Sequence, residues 1–515
     1  MLLTRAATRW PGRAAALCNG TTHTYAEVAR LADVLGRAFE RVAARPGGRV
    51  AALLPNCHVY LAAYFAALER DLVLVPMNLR LAPREIAAVL AHSGAVAVVT
   101  TPDRIESVAA PGARAGGVVS TSPGWAIAAA RHPDDRPAPE GAAQIDYTSG
   151  TTGRAKGVVL TRANLGAHLV MTLDELAFSE RDVWLHAAPM FHLADAWAVW
   201  TATAAGATHV MLPRWDAAAA LATMVASGVT LTNLVPSMIP GLLAAAAPGG
   251  ARPPLRLLLS GGAPMAAAVV RRIGAILGCP YAQTYGLTET SPFLTFSLPG
   301  DGHRELAPAI RERLLARTGR PARGVMLRVV TPPGAAVFTD VPADDRTVGE
   351  VVVRAATVTP GYWRDPEETA RAFLGGWFHT GDLGVLDAYG YLQLVDRAKD
   401  AIVTGGETVY SIEVESVLLE HPGVREVAVF GVPDPEWGEA VRAAIVPEAG
   451  AAAGDAAGAD AGIAALMAFC RERIAAYKCP RAIDLHAALP RTGSGKIDKR
   501  ALREPFWTGR DRRIN

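Results

Sequence analysis

The sequence predicts an α/β protein with a large N-terminal domain of βα layers, built on parallel sheets and a small antiparallel β unit, and a small C-terminal α+β domain. Helical and strand patterns alternate through the first part of the chain. The strands there are continuously apolar, which is typical of parallel sheets that helices cover on both faces. From Gly319 onward strand patterns dominate, and a second, smaller α/β unit follows. We place the boundary at residues 396 and 397, so that the two domains are 1–396 and 397–515.

Local signals predict the N-terminal elements. Thr24 and Glu27 have the spacing of a capping box, which opens a helix with one apolar face. Thr161 is predicted to cap a second helix over 161–173. The segment 120–141 is rich in Pro, Gly and charge, which predicts a surface connection. The other predicted elements are strands 50–54, 72–76, 96–100, 209–212, 229–235 and 255–260 and helices 59–68, 85–92 and 217–227.

The C-terminal part shows shorter patterns. Its predicted elements are strands 325–330, 348–354, 391–396, 424–432 and 441–446 and helices 412–419 and 463–476. The stretch 448–462 consists mostly of Ala, Gly and Asp, and this low complexity predicts a variable loop.

Composition excludes several classes of protein. The 515 residues carry a net charge of +2 with both signs interspersed, which is not the basic footprint of a nucleic-acid-binding protein. The five cysteines are scattered without metal-ligand spacing, as expected of a reduced cytoplasmic protein. We find no signal peptide. The most apolar long stretch, 183–212, carries His186, His192 and Asp195, so we predict protein interior and no membrane span.

One stretch, Tyr147 to Val158, combines hydroxyls, glycines and a lysine. Glycines let backbone N–H groups turn toward an anion, and the hydroxyls and Lys156 add donors and positive charge. The predicted ligand is a polyphosphate, and a flexible surface loop is the alternative interpretation. The loop is not a Walker A motif, because Gly157 follows Lys156 where that motif has Ser or Thr. The candidate phosphate-binding residues are Thr148, Ser149, Gly150, Thr151, Thr152, Gly153 and Lys156.

Four ionisable residues elsewhere could complete a nucleotide site: Glu289, Asp382, Arg397 and Lys496. Thr288 and Glu289 follow a strand, where ligands of parallel sheets bind, and a carboxylate there suits Mg²⁺ bound to phosphate. Tyr285 could stack on a flat base, and Asp382 could accept hydrogen bonds from ribose. Taken singly, Glu289 could instead be a helix-start carboxylate, Asp382 a turn residue and Lys496 part of a solvated loop.

Taken together and in this order, these segments resemble the adenylate-forming superfamily of acyl-CoA synthetases, peptide-synthetase adenylation domains and firefly-type luciferases. The resemblance covers nearly the whole chain and is strongest to free-standing acyl-CoA ligases. Five segments carry it: Tyr147 to Val158, Tyr285-Gly-Leu-Thr-Glu289, Gly376-Trp-Phe-His-Thr-Gly-Asp382, Asp396-Arg-Ala-Lys-Asp400 with Gly405-Gly406-Glu407, and Pro490-Arg-Thr-Gly-Ser-Gly-Lys496. It implies an AMP-forming acid–thiol ligase that uses ATP, Mg²⁺ and CoA. A carboxylate attacks the α-phosphorus of ATP to give an acyl-adenylate and pyrophosphate, and a thiol then displaces AMP.

The resemblance also implies a role for each matching residue. Besides the loop, the residues that hold ATP or AMP are Gly262, Ala263, Gln283, Thr284, Tyr285, Gly286, Asp382 and Arg397. The catalytic residues are Lys496, Thr288, Glu289 and His192, with Glu289 as the Mg²⁺ ligand and a core histidine as the alternative for His192. Lys399 matches the hinge of a mobile C-terminal domain, and Gly405 and Gly406 face the CoA thiol. The acyl pocket comprises Phe191, Trp197, Val235, Met238, Gly261, Pro292 and Phe293.

The acid and the acceptor are less defined. The usual Asn and Pro of the thiol-facing segment are Thr408 and Ser411 here, and Ala355 replaces a usual Gly. Amino-acid-activating relatives hold the substrate amine with an Asp that has no clear counterpart here, Asp195 being the nearest candidate. An apolar acid, whether fatty, aryl or terpenoid, is therefore favoured.

Three functions stay open at this point. A CoA ligase is favoured because no carrier domain is appended to the chain. The alternatives are loading of a separate carrier protein and thiolation of a supplied adenylate only. A homodimer is left open, and no nucleic-acid partner is predicted.

Overall fold

The computed structural model describes residues 2–42, 45–108, 118–122, 124–130, 138–149, 155–246, 249–262, 265, 267–300, 305–448, 456–492 and 496–508. The chain divides into two compact units. The first comprises Met1–Leu327 and Val353–Phe378, and the second comprises Arg328–Val352 and His379–Asn515. The predicted α/β class is confirmed, and the boundary at residues 396 and 397 stays a prediction.

The described residues form strands and helices that we number in chain order. The strands are β1 Ala14–Cys18, β2 Thr21–Thr24, β3 Arg49–Leu53, β4 Val73–Pro76, β5 Ala97–Thr100, β6 Val118–Ser122, β7 Trp125–Ala129, β8 Ala142–Ser149, β9 Ala155–Thr161, β10 Val183–His186, β11 Thr208–Met211, β12 Leu231–Leu234, β13 Leu257–Gly261, β14 Tyr281–Tyr285, β15 Thr295–Ser297, β16 Arg320–Pro321, β17 Met326–Thr331, β18 Thr339–Asp340, β19 Gly349–Arg354, β20 Gly361–Tyr362, β21 Phe373–Leu374, β22 Trp377–Leu386, β23 Leu392–Arg397, β24 Ile402–Thr404, β25 Glu407–Val409, β26 Val424–Asp434, β27 Gly438–Pro447 and β28 Ala482–Leu485. The helices are α1 Leu2–Arg9, α2 Tyr25–Arg41, α3 His58–Glu69, α4 Pro83–Ser93, α5 Ile105–Val108, α6 Arg162–Glu175, α7 Leu193–Ala205, α8 Ala217–Ala226, α9 Ile239–Ala245, α10 Ala267–Leu277, α11 Pro308–Leu315, α12 Pro366–Ala372, α13 Ser411–Leu419, α14 Ala456–Arg471 and α15 Lys499–Trp507.

Four sheets organise these strands. A nine-stranded sheet has the order β16-β15-β14-β13-β12-β10-β11-β1-β2, and an eight-stranded sheet has the order β20-β9-β8-β4-β3-β5-β7-β6. Their central pairs, including β13–β14 and β3–β4, are parallel. A six-stranded sheet follows β18-β17-β19-β22-β21 with β23 beside β22, and a five-stranded sheet follows β25-β24-β27-β26 with β28 beside β27. The carboxyl ends of the parallel strands therefore provide the expected edges for ligand binding.

Helix packing explains the core of the first unit. The predicted capping box opens α2, since the Thr24 side chain accepts from the Glu27 N–H and the Glu27 side chain accepts from the Thr24 N–H. Helix α3 is apolar on all sides, and every residue from Val59 to Ala67 is buried. A helix that is apolar all round has to lie in the interior. Its residues pack in one core cluster with side chains from both large sheets.

Two predicted loops are partly regular structure. The segment 120–141 contains β7, whose residues Trp125 to Ala128 are buried against β5 in an antiparallel pair. Its short apolar run was hidden by the Pro- and Gly-rich sequence around it. Likewise α14 begins at Ala456, inside the stretch predicted as a variable loop, because alanine has the highest helix propensity. Within the described chain, no helix is both long and apolar enough to cross a membrane.

Candidate active site

The described residues of the glycine- and hydroxyl-rich stretch lie on two neighbouring strands. Strands β8 and β9 pair antiparallel, with Thr148 opposite Lys156. The predicted phosphate ligands Gly150, Thr151, Thr152 and Gly153 and the side chain of Ser149 lie outside the described residues. Lys156 forms an ion pair with Glu368, and its Nζ lies 5.4 Å from the centre of the Tyr362 ring. Only 13% of the Lys156 side chain is exposed, so this cation is held between one carboxylate and one aromatic face.

Glu289 approaches the same tyrosine from another segment. It lies in a short 3-10 turn, Thr288–Thr290, that follows β14. The Tyr362 hydroxyl donates to Glu289 Oε1 at 3.0 Å, and the Thr359 N–H donates to the Glu289 carbonyl at 2.7 Å. Burial and the Glu289 carboxylate raise the pKa of Tyr362 well above its ordinary value, so the hydroxyl keeps its proton. The structure therefore brings together two predicted site residues, Lys156 and Glu289, through a residue that was not predicted.

The predicted magnesium ligand is a single acidic side chain, Glu289. Glu289 is only half-buried, and its carboxylate accepts from the Tyr362 hydroxyl. In the described parts of the chain, no three His, Cys, Asp or Glu side chains group into a metal site. Mg²⁺ commonly uses one or two carboxylates together with substrate phosphates and water. One carboxylate, Glu289, close to the predicted phosphate-binding residue Lys156 fits that mode of binding.

Gly261, predicted in the acyl pocket, and Gly286, predicted to bind ATP or AMP, lie where strand ends pack closely. Strands β13 and β14 are parallel neighbours, with Gly261 opposite Thr284. A Cβ atom on Gly261 would lie 2.4 Å from Thr284 Oγ1, and one on Gly286 would lie 1.7 Å from the Pro292 carbonyl. Both positions therefore require glycine. Gln283 and Tyr285 are buried in β14, Gly262 directly follows β13, and Ala263 lies outside the described residues.

Aromatic side chains cluster among the residues of the predicted acyl pocket. The ring of Trp197 lies 5.0 Å from Phe293 and 4.9 Å from Trp184. His168, which the sequence analysis missed, lies 5.4 Å from Phe293, and burial lowers its pKa to about 3, so it is neutral. Trp197 has no exposed surface, so direct contact with an acid would require its neighbours to move. Of the other predicted pocket residues, Phe191 and Pro292 are buried, whereas His192, Val235, Met238 and Gly261 are partly exposed.

Asp195 is not available to a substrate amine, contrary to its candidacy in the sequence. Its side chain is fully buried, and Oδ2 lies 2.5 Å from His186 Nδ1. His186 Nε2 contacts His209 Nδ1 at 2.9 Å, and His209 Nε2 contacts Thr203 Oγ1 at 3.0 Å. Burial raises the pKa of Asp195 and lowers that of His209. Oδ2 of this buried carboxylate therefore belongs to an internal network, whose sequence signal is two histidines within apolar strands.

In the second unit, the two predicted ribose ligands face each other. Asp382 and Arg397 are directly opposite on β22 and β23, and Arg397 Nε lies 3.1 Å from Asp382 Oδ1. Asp382 is buried, whereas the Arg397 side chain is 47% exposed. This pairing holds a carboxylate in place and leaves the guanidinium accessible.

The remaining predicted residues of this unit lie in turns and short segments. Burial lowers the pKa of Lys399, which follows Arg397 by two residues. Gly405 and Gly406 form the turn between β24 and β25 with φ of +59° and +83°, a conformation that favours glycine. A Cβ atom on Gly405 would lie 2.5 Å from the Trp437 ring. Lys496 is exposed, and its carbonyl accepts from the Thr492 N–H at 2.8 Å.

Ser411, one of the departures from the family pattern, forms bonds that a proline could not. Its N–H and hydroxyl both donate to the Asp396 carboxylate, at 2.5 and 3.1 Å. Lys499, which was not predicted, donates to the Ser411 hydroxyl at 2.6 Å and pairs with Glu415 at 2.7 Å. Proline has no N–H to donate. The serine thus joins Asp396, Lys499 and Glu415 in a largely buried polar network.

The first unit thus has a parallel α/β core with Lys156 near the Glu289 carboxylate, and the second unit has the Asp382–Arg397 pair; both are features expected of an enzyme that uses a nucleotide. The sequence profile described as AMP-binding enzyme matches residues 3–363, and that of the AMP-binding enzyme C-terminal domain matches residues 413–496. The chain belongs to the AMP-binding enzyme family, and the predicted adenylate-forming superfamily is confirmed.

Three similar proteins illustrate this membership. The feruloyl-CoA synthase of an Amycolatopsis species is 37% identical over 509 residues, covering 96% of this chain and 98% of the relative. The fatty acid–[acyl-carrier-protein] ligase ScoC of Streptomyces coeruleorubidus is 34% identical over 526 residues, covering 98% and 96%. The structure of o-succinylbenzoate coenzyme A synthetase (MenE) from Bacillus subtilis with ATP and a magnesium ion has a TM-score of 0.79 and 26% identity, covering 98% of each chain.

Proposed function

We propose that this protein is an AMP-forming acid:CoA ligase. It activates a carboxylic acid with ATP as an acyl-adenylate, releasing pyrophosphate, and then transfers the acyl group to the CoA thiol, releasing AMP. The observation that carries this proposal is the meeting of Lys156 and Glu289 at Tyr362. A cation for phosphate and a carboxylate for magnesium are the two charges that a bound Mg²⁺–ATP complex requires.

Each site residue then has a proposed role. Lys156 and its hairpin hold the β- and γ-phosphates, and Asp382 and Arg397 hold the ribose. Bound to Glu289, Mg²⁺ would neutralise phosphate charge. Lys496 neutralises the charge that develops between the attacking carboxylate and the α-phosphate. The remaining proposed roles are phosphate contact for Thr288, adenine binding for Gly262, Ala263 and Gln283 to Gly286, carboxylate positioning for His192, hinge motion for Lys399 and thiol access for Gly405 and Gly406.

We favour an aryl acid as the substrate. The predicted acyl pocket is rich in aromatic rings, including Phe293, Trp197 and Phe191. Aromatic side chains pack well against the ring of an aryl substrate. The one nearby carboxylate, Asp195, is fully buried with Oδ2 against His186, so it has no exposed surface for a substrate amine. The name of the feruloyl-CoA synthase relative also supports an aryl acid.

A separate carrier protein is the alternative acceptor. The name of the ScoC relative, an acyl-carrier-protein ligase, favours this possibility. The two acceptors would leave the adenylation site unchanged and differ only at the thiol-facing surface. We place the enzyme in the cytoplasm, where ATP and CoA are available and where cysteines stay reduced, and all five cysteines are free.

An acid panel tests the function directly. The purified protein is incubated with ATP, Mg²⁺ and benzoates, hydroxycinnamates or fatty acids, with CoA or with an acyl carrier protein. We expect pyrophosphate release with aryl acids and acyl-CoA as the product detected by mass spectrometry. Acylated carrier protein without acyl-CoA would support the alternative, and no pyrophosphate with any acid would contradict both.

The Lys496→Ala variant is the matched control for this assay. Because Lys496 is proposed to act on the α-phosphate, the variant should lose adenylation while still transferring a supplied acyl-adenylate to CoA. Equal loss of both half-reactions would contradict the proposed role of Lys496.

A further inference from the structure

Tyr362 links the two charged groups of the nucleotide site. Its hydroxyl donates to Glu289 Oε1 at 3.0 Å, while its ring lies 5.4 Å from Lys156 Nζ. These contacts are made by different parts of one side chain. A substitution can therefore remove the hydroxyl contact and keep the ring contact.

The backbone around Tyr362 is tied to the strand that carries Lys156. Gly361 and Tyr362 form β20, which pairs with Val159 and Val158 of β9. The Tyr362 N–H also donates to Thr369 Oγ1 at 2.9 Å. The backbone of the tyrosine is thus fixed beside the strand that carries the lysine.

Glu289 is held from this segment at two points. The Thr359 N–H donates to its carbonyl at 2.7 Å, and the Tyr362 hydroxyl donates to its carboxylate. A glutamate carboxylate has several rotatable bonds, so a fixed donor decides which oxygen faces the ligand. Groups that orient a metal ligand in this way commonly change metal affinity by about 10–100-fold when removed.

We propose that Tyr362 is a positioning residue of the nucleotide site, whose hydroxyl orients the Glu289 carboxylate for the metal of Mg²⁺–ATP while its ring supports Lys156. The inference rests on the proposed adenylation function. It assigns Tyr362 no contact with substrate and no part in proton transfer.

Equilibrium ATP binding, measured by calorimetry without an acid, tests the proposal independently of turnover. The affinity for ATP is measured once in the presence of Mg²⁺ and once in the presence of EDTA. The ratio of the two affinities gives the factor by which magnesium strengthens ATP binding. In Tyr362→Phe we expect this ratio to fall about 10-fold. Binding in EDTA should stay unchanged, because phenylalanine keeps the ring beside Lys156. A wild-type ratio in the variant would overturn the inference.

Two further variants separate this effect from general destabilisation. Glu289→Gln should lower the ratio of ATP affinities in Mg²⁺ and in EDTA further than Tyr362→Phe does. Tyr25→Phe deletes another buried hydroxyl bond, to the Ala207 carbonyl at 2.6 Å, and should lower stability while keeping the ratio. A reduced ratio in Tyr25→Phe would show that the ratio reports stability and would also overturn the inference. If the wild-type protein binds ATP in neither condition, the proposed function fails rather than this inference.

Discussion

Asp195 and Glu289 are both carboxylates of the first unit that contact a ring-bearing side chain, but their surroundings differ. Asp195 belongs to a sealed network with His186, His209 and Thr203, and all four are fully buried. Glu289 belongs to a reachable cluster with Tyr362, Lys156 and Glu368, whose members all keep some exposure.

The difference in burial between the two groups indicates which polar contacts stabilise the fold and which can bind a ligand. A sealed network has no route for an outside group, and breaking it leaves buried polar atoms without partners, which costs stability. The members of a reachable cluster can exchange a protein partner for a phosphate or a metal. We therefore expect mutations in the sealed network to change unfolding, and mutations in the reachable cluster to change nucleotide binding and catalysis.

The largest expected effect is in the sealed network. Asp195→Ala removes a buried carboxylate and leaves His186 without its partner, so we expect a loss of about 3–5 kcal/mol in the free energy of unfolding. Denaturant-induced unfolding measures it. The matched control is Glu312→Ala, which breaks an exposed ion pair with Arg271 and should change stability by about 0.5 kcal/mol or less. Equal effects of the two variants would remove the distinction between sealed and exposed contacts.

The next effect is in the reachable cluster. Glu289→Gln keeps a group that can accept from Tyr362 but removes the negative charge for the metal. We expect the rate of pyrophosphate release to fall by about 100-fold with little change in stability. Glu367→Gln is the control, because that side chain is 83% exposed and should leave the rate unchanged. A large loss of stability in Glu289→Gln would place Glu289 with the sealed residues.

The buried neutral His168 should make the free energy of unfolding depend on pH. Burial lowers the pKa of His168 to about 3, whereas the unfolded chain protonates near pH 6.5. The unfolded state then binds the extra proton, so stability falls as pH drops from about 6.5 toward 3, by up to about 1.4 kcal/mol per pH unit. His168→Met should flatten this slope. Unfolding curves at several pH values measure it, and an unchanged slope would contradict the assignment of a neutral buried His168.

The smallest expected effect concerns Glu368, which neutralises Lys156 without a nucleotide. Glu368→Gln removes a competitor for the lysine, so inorganic pyrophosphate should bind about 2–5-fold more tightly, the scale of a partly exposed ion pair. Calorimetric titration with pyrophosphate measures the change, and Glu367→Gln again serves as the control. Weaker binding in Glu368→Gln would mean that Glu368 supports Lys156 and does not compete with phosphate.

Local sequence signals predicted the elements whose causes are local. The Thr24 and Thr161 caps form as expected, because a cap involves residues only three apart. The apolar runs of β3, β4 and β5 are also found as predicted. The antiparallel strand β7 was missed, since its pairing with β5 depends on a distant segment that its own composition does not reveal.

The candidate site divides in the same way. Lys156, Glu289, Asp382 and Arg397 stand in motifs of fixed spacing, so residue types alone singled them out. Their partners could not be found in that way. Glu368 meets Lys156 from a segment 212 residues away, and Tyr362 meets Glu289 from one 73 residues away. Ser411 was noted only as a departure, and its N–H bond to Asp396 depends on the folded second unit.

Apolar periodicity and motifs of contiguous residues were enough to predict the α/β class and the family and to single out candidate residues for Mg²⁺–ATP. The tertiary structure was needed to show that Asp195 is fully buried beside His186 and that Glu289 stays partly exposed beside Tyr362. Burial and side-chain partners depend on segments far apart in the chain that meet only when the sheets are assembled. For two carboxylates, that assembly makes one a structural contact and the other a candidate ligand for magnesium.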